Sequence, residues 1–270
     1  MNLGNVWTKE IPEEKKGLSG STIKLIAVIT MIIDHIGAAV LGRYLTQTGI
    51  GNIMQSGSQE ALAAWMREFY GLYATYEVMR YIGRVAFPIY CFLLVEGFFR
   101  SRDLRKYSLR LFLFAVISEI PFDLAFNGKV WYSGYQNVFF ELFVGLLTIM
   151  GICAVGERIR SRFLNVLACI GITAAAAMLA EGMALDYGAI GIVCIVLLYS
   201  SASNKRRQII VGALSFCWEL TAPLAFIPIS FYNGKRGLSL KYFFYMIYPI
   251  HLLLLYFICL CLGIAGYSAL

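Results

Sequence analysis

The sequence predicts an all-α protein embedded in a membrane, and three observations lead to that prediction. Hydrophobic residues make up 59% of the chain and charged residues 14%, with a mean hydropathy of +0.70, whereas soluble domains average about 25% charged residues. Several separate apolar runs reach the roughly 18 residues that mark a membrane-spanning helix. Basic residues cluster in the short polar segments between these runs, which is the positive-inside pattern of polytopic membrane proteins. Orientation therefore explains the net charge of +7, and we expect no nucleic-acid partner.

The order of the apolar runs predicts a polytopic helical bundle in one domain. We expect about 8–9 transmembrane helices within residues 21–264, after a polar leader at residues 1–20, with Ser19 or Ser21 as the cap of the first helix. The expected spans lie at about 21–41, 82–99, 109–126, 137–156, 163–180, 187–200 and 242–263. Residues 61–81 mix aromatic and charged side chains and predict an interfacial amphipathic helix.

The segment 208–232 is ambiguous because it contains Pro223 and Pro228. It is either one kinked span or two short broken ones, and broken backbone at membrane depth needs a protein-lined environment. Basic runs at 100–110, 158–162 and 205–207 lie between alternate spans, so all three fall on one side, the cytoplasm. The basic loop at 235–241 joins them only if 208–232 is a pair. We therefore predict the pair, with a cytoplasmic N-terminus.

The seven cysteines all lie in apolar runs, and none forms a CxxC pair. This usage predicts buried small hydrophobic residues. We expect neither a metal site nor a disulfide framework.

The first span carries three ionisable residues, Lys24, Asp34 and His35. Such groups are costly at membrane depth and mark functional sites. Lys24 and His35 are eleven residues apart, about three turns, so they share one helix face about 16 Å apart along the axis. Asp34 points about 100° away and should meet a different neighbour. Alternatively, His35 makes only a helix-packing hydrogen bond, and Lys24 extends to the lipid headgroups.

The other histidine, His251, lies in the last span at a depth similar to that of His35. Two imidazoles at one depth can face a single cavity, and histidine suits proton transfer near neutral pH. Lys24 and the basic loops suit a phosphate-bearing ligand that approaches from the cytoplasm. Arg84 is expected to pair with a carboxylate such as Asp34 or to lie at the interface, and Glu96 to pair with Arg100.

The remaining polar residues within or beside the spans are structural contacts or functional groups, and spacing does not rank them. They are Glu119, Asp123, Asn137, Glu141 and Glu219.

Three blocks of sequence together resemble the TraX family of membrane proteins. They are LSGSTIKLIAVITMIIDHIGAAV, then YIGRVAFPIYCFLLVEGFFRSRDLRKYSLRLFLFAVISEIPFDLAF, and QNVFFELFVGLL, within about residues 18–150. The spacing of Lys24 and His35, and FYMIYPIHLLLLYF near the end, are similar to transmembrane acyltransferases, including the heparan-α-glucosaminide N-acetyltransferases. Lysine stands where arginine is commoner in that pattern, which keeps the charge but loses bidentate phosphate binding.

The resemblance implies a bacterial inner-membrane acetyltransferase that uses cytoplasmic acetyl-CoA and no metal. His35 would deprotonate the acceptor or carry the acetyl group, with Asp34 and His251 as further catalytic candidates. The residues expected to bind the acyl-CoA are Lys24, Arg84, Arg105, Lys106 and Arg110. The acceptor would be the N-terminus of a pilin, the family's known case, or a peptide, an amino sugar or a lipid headgroup. A homo-oligomer is possible.

Two other classes of function remain open on the sequence. A transporter or flippase would line its path with the same buried charges, and internal symmetry would mark it. A membrane chaperone that holds pilin subunits without chemistry would need no acyl-CoA and would tolerate loss of His35.

Overall fold

The computed structural model describes residues 17–238 and 241–269, and these form helices with no strand among them. The all-α class is thereby confirmed. The predicted leader falls mostly outside the described residues. Among these residues, two isolated β-bridges connect loops, one between Leu18 and Tyr232 and one between Gln136 and Leu185.

The first helical run extends beyond the apolar stretch at 21–41. Ser19 caps α1 (Gly20–His35) by accepting a hydrogen bond from the Thr22 N–H at 3.2 Å, as predicted. The helix then continues as a π-helical stretch, Ile36–Gly42, into α2 (Arg43–Gln47). π-Helical turns are rare and frequently mark functional sites, and this one begins directly after His35.

A helical hairpin follows, built from α3 (Ile50–Ser56) and α4 (Gln59–Gly83). The Trp65 indole donates to Thr48 Oγ1 at 2.7 Å near one end, and Gly83 lies against Asp34 at the other. Helix α4 therefore runs antiparallel to the C-terminal half of the first helical run. The predicted helix at 61–81 is present, and it packs along this run over most of its length.

Helix α5 (Ala86–Arg100) occupies the middle of the bundle. The backbone stays in the right-handed helical region through Arg84 and Val85, so α5 follows α4 with only a local break. Most of its side chains are buried, and it packs against α1, α7 and α9. The surrounding helices are α6 (Leu104–Asn127), α7 (Val138–Arg158), α8 (Arg162–Gly182) and α9 (Gly188–Ser200).

The ambiguous segment is a broken helical hairpin and not one kinked helix. It consists of α10 (Lys205–Ser215), a 3₁₀ turn (Ala222–Ala225) and α11 (Phe226–Ser230). Its two ends meet where Lys205 Nζ donates to the carbonyls of Ser230 and Tyr232, each at 2.7 Å. The last helix, α12 (Lys241–Cys261), packs against α6 and α1.

The loops gather at two opposite ends of the bundle. One end, here called the basic end, contains the loops at 17–19, 101–103, 159–161, 201–204 and 231–238. The other, here called the cavity end, contains the loops at 128–137, 183–187 and 216–221 and the C-terminal segment 262–269. Arg43 ties the cavity end together because its buried guanidinium donates to the carbonyls of Ala265 and Leu124, each at 2.7 Å.

Within the described residues, five helical runs are long and apolar enough to cross a membrane, fewer than the eight or nine predicted. They are Gly20–Gln47, Gln59–Arg100, Val138–Arg158, Arg162–Gly182 and Tyr242–Cys261. Helix α9 is apolar but short, and α6 carries charges along its length. Helix α8 exposes Phe163, Leu167, Ile170 and Met178, which fits a surface that faces lipid. The structure is thus consistent with a helical membrane protein.

The cysteines do not all have the environment that the sequence predicts. Cys91, Cys194 and Cys259 are buried, but Cys217 and Cys261 are exposed, and all seven are free. Cys217 lies in the loop after α10, and Cys261 is the last residue of α12, so both lie at the surface of the bundle and outside its core.

Candidate functional site

The two histidines of the chain are in direct contact. His35 Nδ1 lies 2.7 Å from His251 Nε2, and the rings stack with centroids 5.0 Å apart. His251 Nδ1 lies 2.7 Å from the carbonyl oxygen of Ile247. A carbonyl only accepts, so His251 must carry its proton on Nδ1 and present a bare Nε2 when neutral. His35 then donates from Nδ1, and its Nε2 is left unprotonated.

Helices α1 and α12 create this contact by running in parallel. Lys24 lies over the Phe244 ring, 5.7 Å from its centroid, and His35 meets His251 further along. Both α1 residues therefore face α12, which agrees with the predicted shared helix face. Cys259 Sγ adds a contact to the Ala39 carbonyl at 3.4 Å, within the π-helical stretch.

A cavity of about 350 Å³ lies beside His35 at the cavity end. His251 lies behind His35 and is not among the lining residues. The His35 Nε2 atom makes no hydrogen bond within the described part of the chain, so it is the nitrogen open to a bound molecule. The polar residues that line the cavity are Asp34, His35, Arg80, Arg84, Tyr90, Asn127, Tyr132, Tyr135, Asp186, Tyr187 and Tyr248.

Two ion pairs shape one wall of this cavity. Asp34 Oδ2 pairs with Arg80 Nη1 at 2.7 Å, and Arg84 Nε pairs with Glu219 Oε2 at 3.2 Å. Arg84 therefore pairs with a carboxylate, as expected, but that carboxylate belongs to Glu219 and not to Asp34. Arg80 lies one turn earlier on α4, level with Asp34, whereas Arg84 has turned toward the tip of the broken hairpin. Asp34 does meet a different neighbour from His35, as its rotation on the helix predicted.

Two loops close the opposite side of the cavity. The Tyr135 hydroxyl donates to Asp186 Oδ1, and the Gln136 N–H donates to the Ala184 carbonyl at 2.9 Å. Burial raises the pKa of Asp186 to about 6, against the opposing effects of Tyr135, Arg80 and Arg84. This carboxyl therefore changes charge in a pH range that a cell experiences.

The residues expected to bind an acyl-CoA fall into two places. Four of these residues lie toward the basic end. Lys24 is on α1, and the other three are exposed or half-buried on α6: Arg105, Lys106 and Arg110. The buried Nε of Arg110 has no hydrogen-bond partner among the described residues, and its guanidinium lies 5.9 Å from the centroid of the Tyr107 ring. Arg84 is at the opposite end, so the structure does not bring it together with Lys24.

The other predicted polar residues lie within the bundle. Glu96 pairs with Arg100 at 3.1 Å, which confirms that expectation. The Asn137 side chain caps α7, donates to the Ala115 carbonyl at 2.9 Å and binds Glu119. Asp123 accepts from the Tyr132 N–H at 2.7 Å. These contacts hold the loop 128–137, which forms part of the cavity wall.

Glu141 differs from these residues because neither of its carboxylate oxygens has a hydrogen-bond partner among the described residues. It is fully buried between α7 and α9, and its carboxylate fills the space beside Gly191. It does not line the cavity. No three His, Cys, Asp or Glu side chains form a metal-binding group within residues 17–238 and 241–269.

The sequence does not single out Arg80, Asp186 or Tyr248 as members of the site. Arg80 lies in the segment predicted to be interfacial, and Asp186 in a short loop. Tyr248 had a usable signal because it precedes His251 by three residues and therefore lies on the same helix face.

The arrangement joins a hydrogen-bonded base to a polar chamber. A neutral imidazole whose second nitrogen is anchored is the usual form of a general base. The chamber opens at one end of the bundle, and the cationic residues suited to a phosphate-bearing molecule lie at the other. His35 is placed between them.

Comparison with known proteins identifies the relatives of this chain. A family model described as "TraX protein" matches residues 19–259. The "Probable fimbrial assembly protein FimC, serogroup H1" of Dichelobacter nodosus is 28% identical over 267 residues, which covers 88% of this chain and 94% of that protein. No solved structure matches.

Proposed function

This chain belongs to the TraX family, and from that premise we propose that it is a membrane-embedded acetyltransferase. It transfers an acetyl group from acetyl-CoA to an acceptor amine. The observation that carries the proposal is the His35–His251 hydrogen bond, which leaves an unprotonated His35 Nε2 facing a polar cavity. A chaperone without chemistry needs no such pair at the bottom of a chamber.

The distribution of charge supports an orientation for this reaction. Arginine and lysine are concentrated at the basic end, at residues such as Arg102, Arg160, Arg206 and Arg236, and such loops stay in the cytoplasm. The N-terminus then lies on the cytoplasmic side of the bacterial inner membrane, and the cavity opens to the opposite side. Eight or nine crossings follow if α6, α9 and the broken hairpin also traverse the bilayer.

The basic end suits the acetyl donor, acetyl-CoA. Lys24 and the guanidinium of Arg110 bind the phosphates of acetyl-CoA, and the orphaned Arg110 Nε fits an anionic partner. Arg105 and Lys106 lie on the same helix and add positive charge at its start. The acyl arm reaches His35 along the face of α1 that Lys24 and His35 share, over about 16 Å.

The cavity end suits the acceptor. His35 Nε2 takes the proton of the acceptor amine as the nitrogen attacks the thioester carbonyl. His251 accepts the hydrogen bond from His35 Nδ1 and stabilises the imidazolium that forms. Asp34, fixed by Arg80, contributes a carboxylate to the same cavity. The name of the Dichelobacter nodosus relative, a fimbrial assembly protein, favours the N-terminus of a pilin-like subunit as acceptor.

Acetyl-CoA binding and acetyl transfer by the purified protein in detergent test the proposal. We expect saturable binding of acetyl-CoA and acetylation of a synthetic peptide with a free N-terminus, detected by mass spectrometry. Lys24→Gln should weaken acetyl-CoA binding about tenfold, the loss of one ion pair of about 1.4 kcal/mol. Lys129→Gln is the matched control, because Lys129 also lies over an aromatic ring, that of Tyr132, but at the cavity end.

Two outcomes would contradict the proposal. A folded, monodisperse protein that binds no acetyl-CoA would favour the chaperone or transporter instead. Equal weakening of binding by Lys24→Gln and Lys129→Gln would mean that acetyl-CoA does not bind at the basic end.

A further inference from the structure

Tyr248 is the aromatic residue that both histidines share. Its ring lies edge-on to His35 and to His251, with centroids 5.8 and 5.6 Å away, and edge-on to Phe139 at 5.0 Å. The residue is only 3% exposed, yet it lines the cavity. Three rings thus hold the phenol in one orientation next to the proposed base.

The Tyr248 hydroxyl has a specific polar environment. The backbone N–H of Val138, the first residue of α7, lies close to the phenol oxygen, and no backbone carbonyl of the described residues accepts from it. Val138 also lines the cavity. N–H groups in the first turn of a helix have no partner within the helix. In the described part of the chain, the hydroxyl donates to no other side chain, so its proton is available to a bound molecule.

Acyl transfer requires donors at the place where negative charge develops. Attack on a thioester converts the carbonyl oxygen into an oxyanion, and fixed donors in a water-poor site stabilise it strongly. The guanidinium groups of the cavity are less suited to this role because Arg80 is held by Asp34 and Arg84 by Glu219. Tyr248 and Val138 are neutral donors beside His35.

We propose that the Tyr248 hydroxyl and the Val138 N–H together bind this oxyanion, an inference that rests on the proposed function. The amine nitrogen forms a bond to the carbonyl carbon, the carbonyl π electrons move to oxygen, and His35 Nε2 takes the amine proton. When the intermediate collapses, the C–S bond breaks and the thiolate of CoA leaves. It then takes the proton from His35, so the imidazole is regenerated. Tyr248 donates a hydrogen bond throughout and transfers no proton.

The substitution Tyr248→Phe tests this role, since it keeps the ring and removes only the donor. We expect kcat for acetyl transfer to fall by about 10²–10³-fold, with the dissociation constant of acetyl-CoA and the thermal unfolding midpoint unchanged. Tyr199→Phe is the control because Tyr199 is also a ring-stacked tyrosine, against Phe99, but lies away from the cavity. Its kcat should stay within twofold of the wild type.

A second substitution separates an oxyanion donor from a packing role. Difluorotyrosine at position 248 has a more acidic phenol of nearly the same shape, so activity should persist at neutral pH and fail at a lower alkaline pH than in the wild type. An unchanged alkaline limb, or a Tyr248→Phe protein with wild-type kcat, would overturn the assignment of Tyr248 alone. Absence of any transfer in the wild type would overturn the proposed function with it.

Discussion

The hydrogen bond from His35 Nδ1 to His251 Nε2 assigns different tasks to two chemically identical side chains. His251 is anchored by the Ile247 carbonyl, which lies one turn earlier on the same helix, and His35 is anchored by His251. Only His35 reaches the cavity. The pair therefore works as a base and the residue that fixes its tautomer.

Two substitutions at His251 should separate these tasks. His251→Leu removes the acceptor for His35 Nδ1 and should lower kcat by about 10²-fold or more. The side-chain oxygen of His251→Gln accepts the same hydrogen bond, so this variant should retain at least tenfold more activity than His251→Leu. Single-turnover acetyl transfer measures both. Equal activity of the two variants would mean that His251 does not act through the tautomer of His35.

Gly83 leaves no room for a side chain beside the site. A Cβ there would lie 2.1 Å from Asp34 Cβ, whereas one at Gly71 on the same helix would meet nothing within 4 Å. We predict that Gly83→Ala costs about 1–3 kcal/mol by forcing α1 and α4 apart and also breaks the Asp34–Arg80 pair. Gly71→Ala should be neutral or stabilise by up to about 1 kcal/mol.

Thermal unfolding in detergent and the acetyl-transfer rate measure the effect at Gly83. If both alanine variants had the same stability, the close approach of α1 and α4 at Asp34 would be contradicted.

At the residue scale the sequence identifies the ionisable residues better than their partners. Lys24, Asp34 and His35 stand out because ionisable groups are costly in an apolar run. Their partners depend on how other helices rotate and tilt, which spacing within one helix does not contain. For this reason the sequence offers Asp34 as a partner for Arg84, although Arg80 of the preceding turn makes the contact.

At the element scale, the start of α7 supports the cavity wall. Asn137 accepts from the Phe139 N–H at 3.0 Å and donates to the Ala115 carbonyl and to Glu119. Asn137→Ala should therefore cost about 1 kcal/mol for the lost cap and about 1–3 kcal/mol for the buried Glu119 that loses its donor.

Ser161→Ala is the matched control for Asn137→Ala. Ser161 caps α8 at an exposed position, with a long contact of 3.5 Å to the Leu164 N–H. The expected loss there is about 0.5 kcal/mol. Unfolding midpoints that place the two variants at the same stability would show that Asn137 acts as a cap only.

The loop between α8 and α9 should make stability depend on pH through Asp186. Its pKa is raised by burial from the usual 3.8 to about 6, so the folded protein binds more protons at this group than the unfolded chain between those values. Its contribution to stability is thus greatest below about pH 4 and is lost as pH rises to about 6.

Asp186→Asn removes this titration while its side-chain oxygen still accepts from Tyr135. We predict that the variant unfolds at a higher temperature than the wild type at pH 7 and that the difference shrinks toward pH 4. The comparison of the two proteins cancels the titration of other carboxyls. A difference that is independent of pH would contradict the raised pKa of Asp186.

Elements of high and uniform hydropathy were predicted well, and irregular ones were not. The helices near 138–158, 162–182 and 241–261 begin and end close to the expected positions. The helix expected at 61–81 is present, but its packing does not follow from its composition: Trp65 and Tyr76 pack against Leu45 and Ile50, whereas Arg67 and Glu68 are exposed.

At the scale of the whole molecule, the proposal depends on opposite placement of the basic end and the cavity end. Ser203 lies in a loop of the basic end and Ser133 in a loop of the cavity end. In a background that carries Cys217→Ser and Cys261→Ser, we predict that Ser133→Cys reacts with a membrane-impermeant maleimide in intact cells. Ser203→Cys should react only after permeabilisation.

The reverse labelling pattern would contradict the orientation. The cavity would then open to the cytoplasm, and donor and acceptor would approach from the sides opposite to those proposed.

The most direct test of the account is the transfer of an acetyl group from acetyl-CoA to a peptide N-terminus by the purified protein, wild type beside His35→Asn. We predict that His35→Asn binds acetyl-CoA with wild-type affinity, because Lys24 and Arg110 are unchanged, and that its transfer rate falls by about 10²–10⁴-fold. A folded His35→Asn protein that transfers acetyl groups at the wild-type rate would contradict the claim that the histidine pair performs the chemistry.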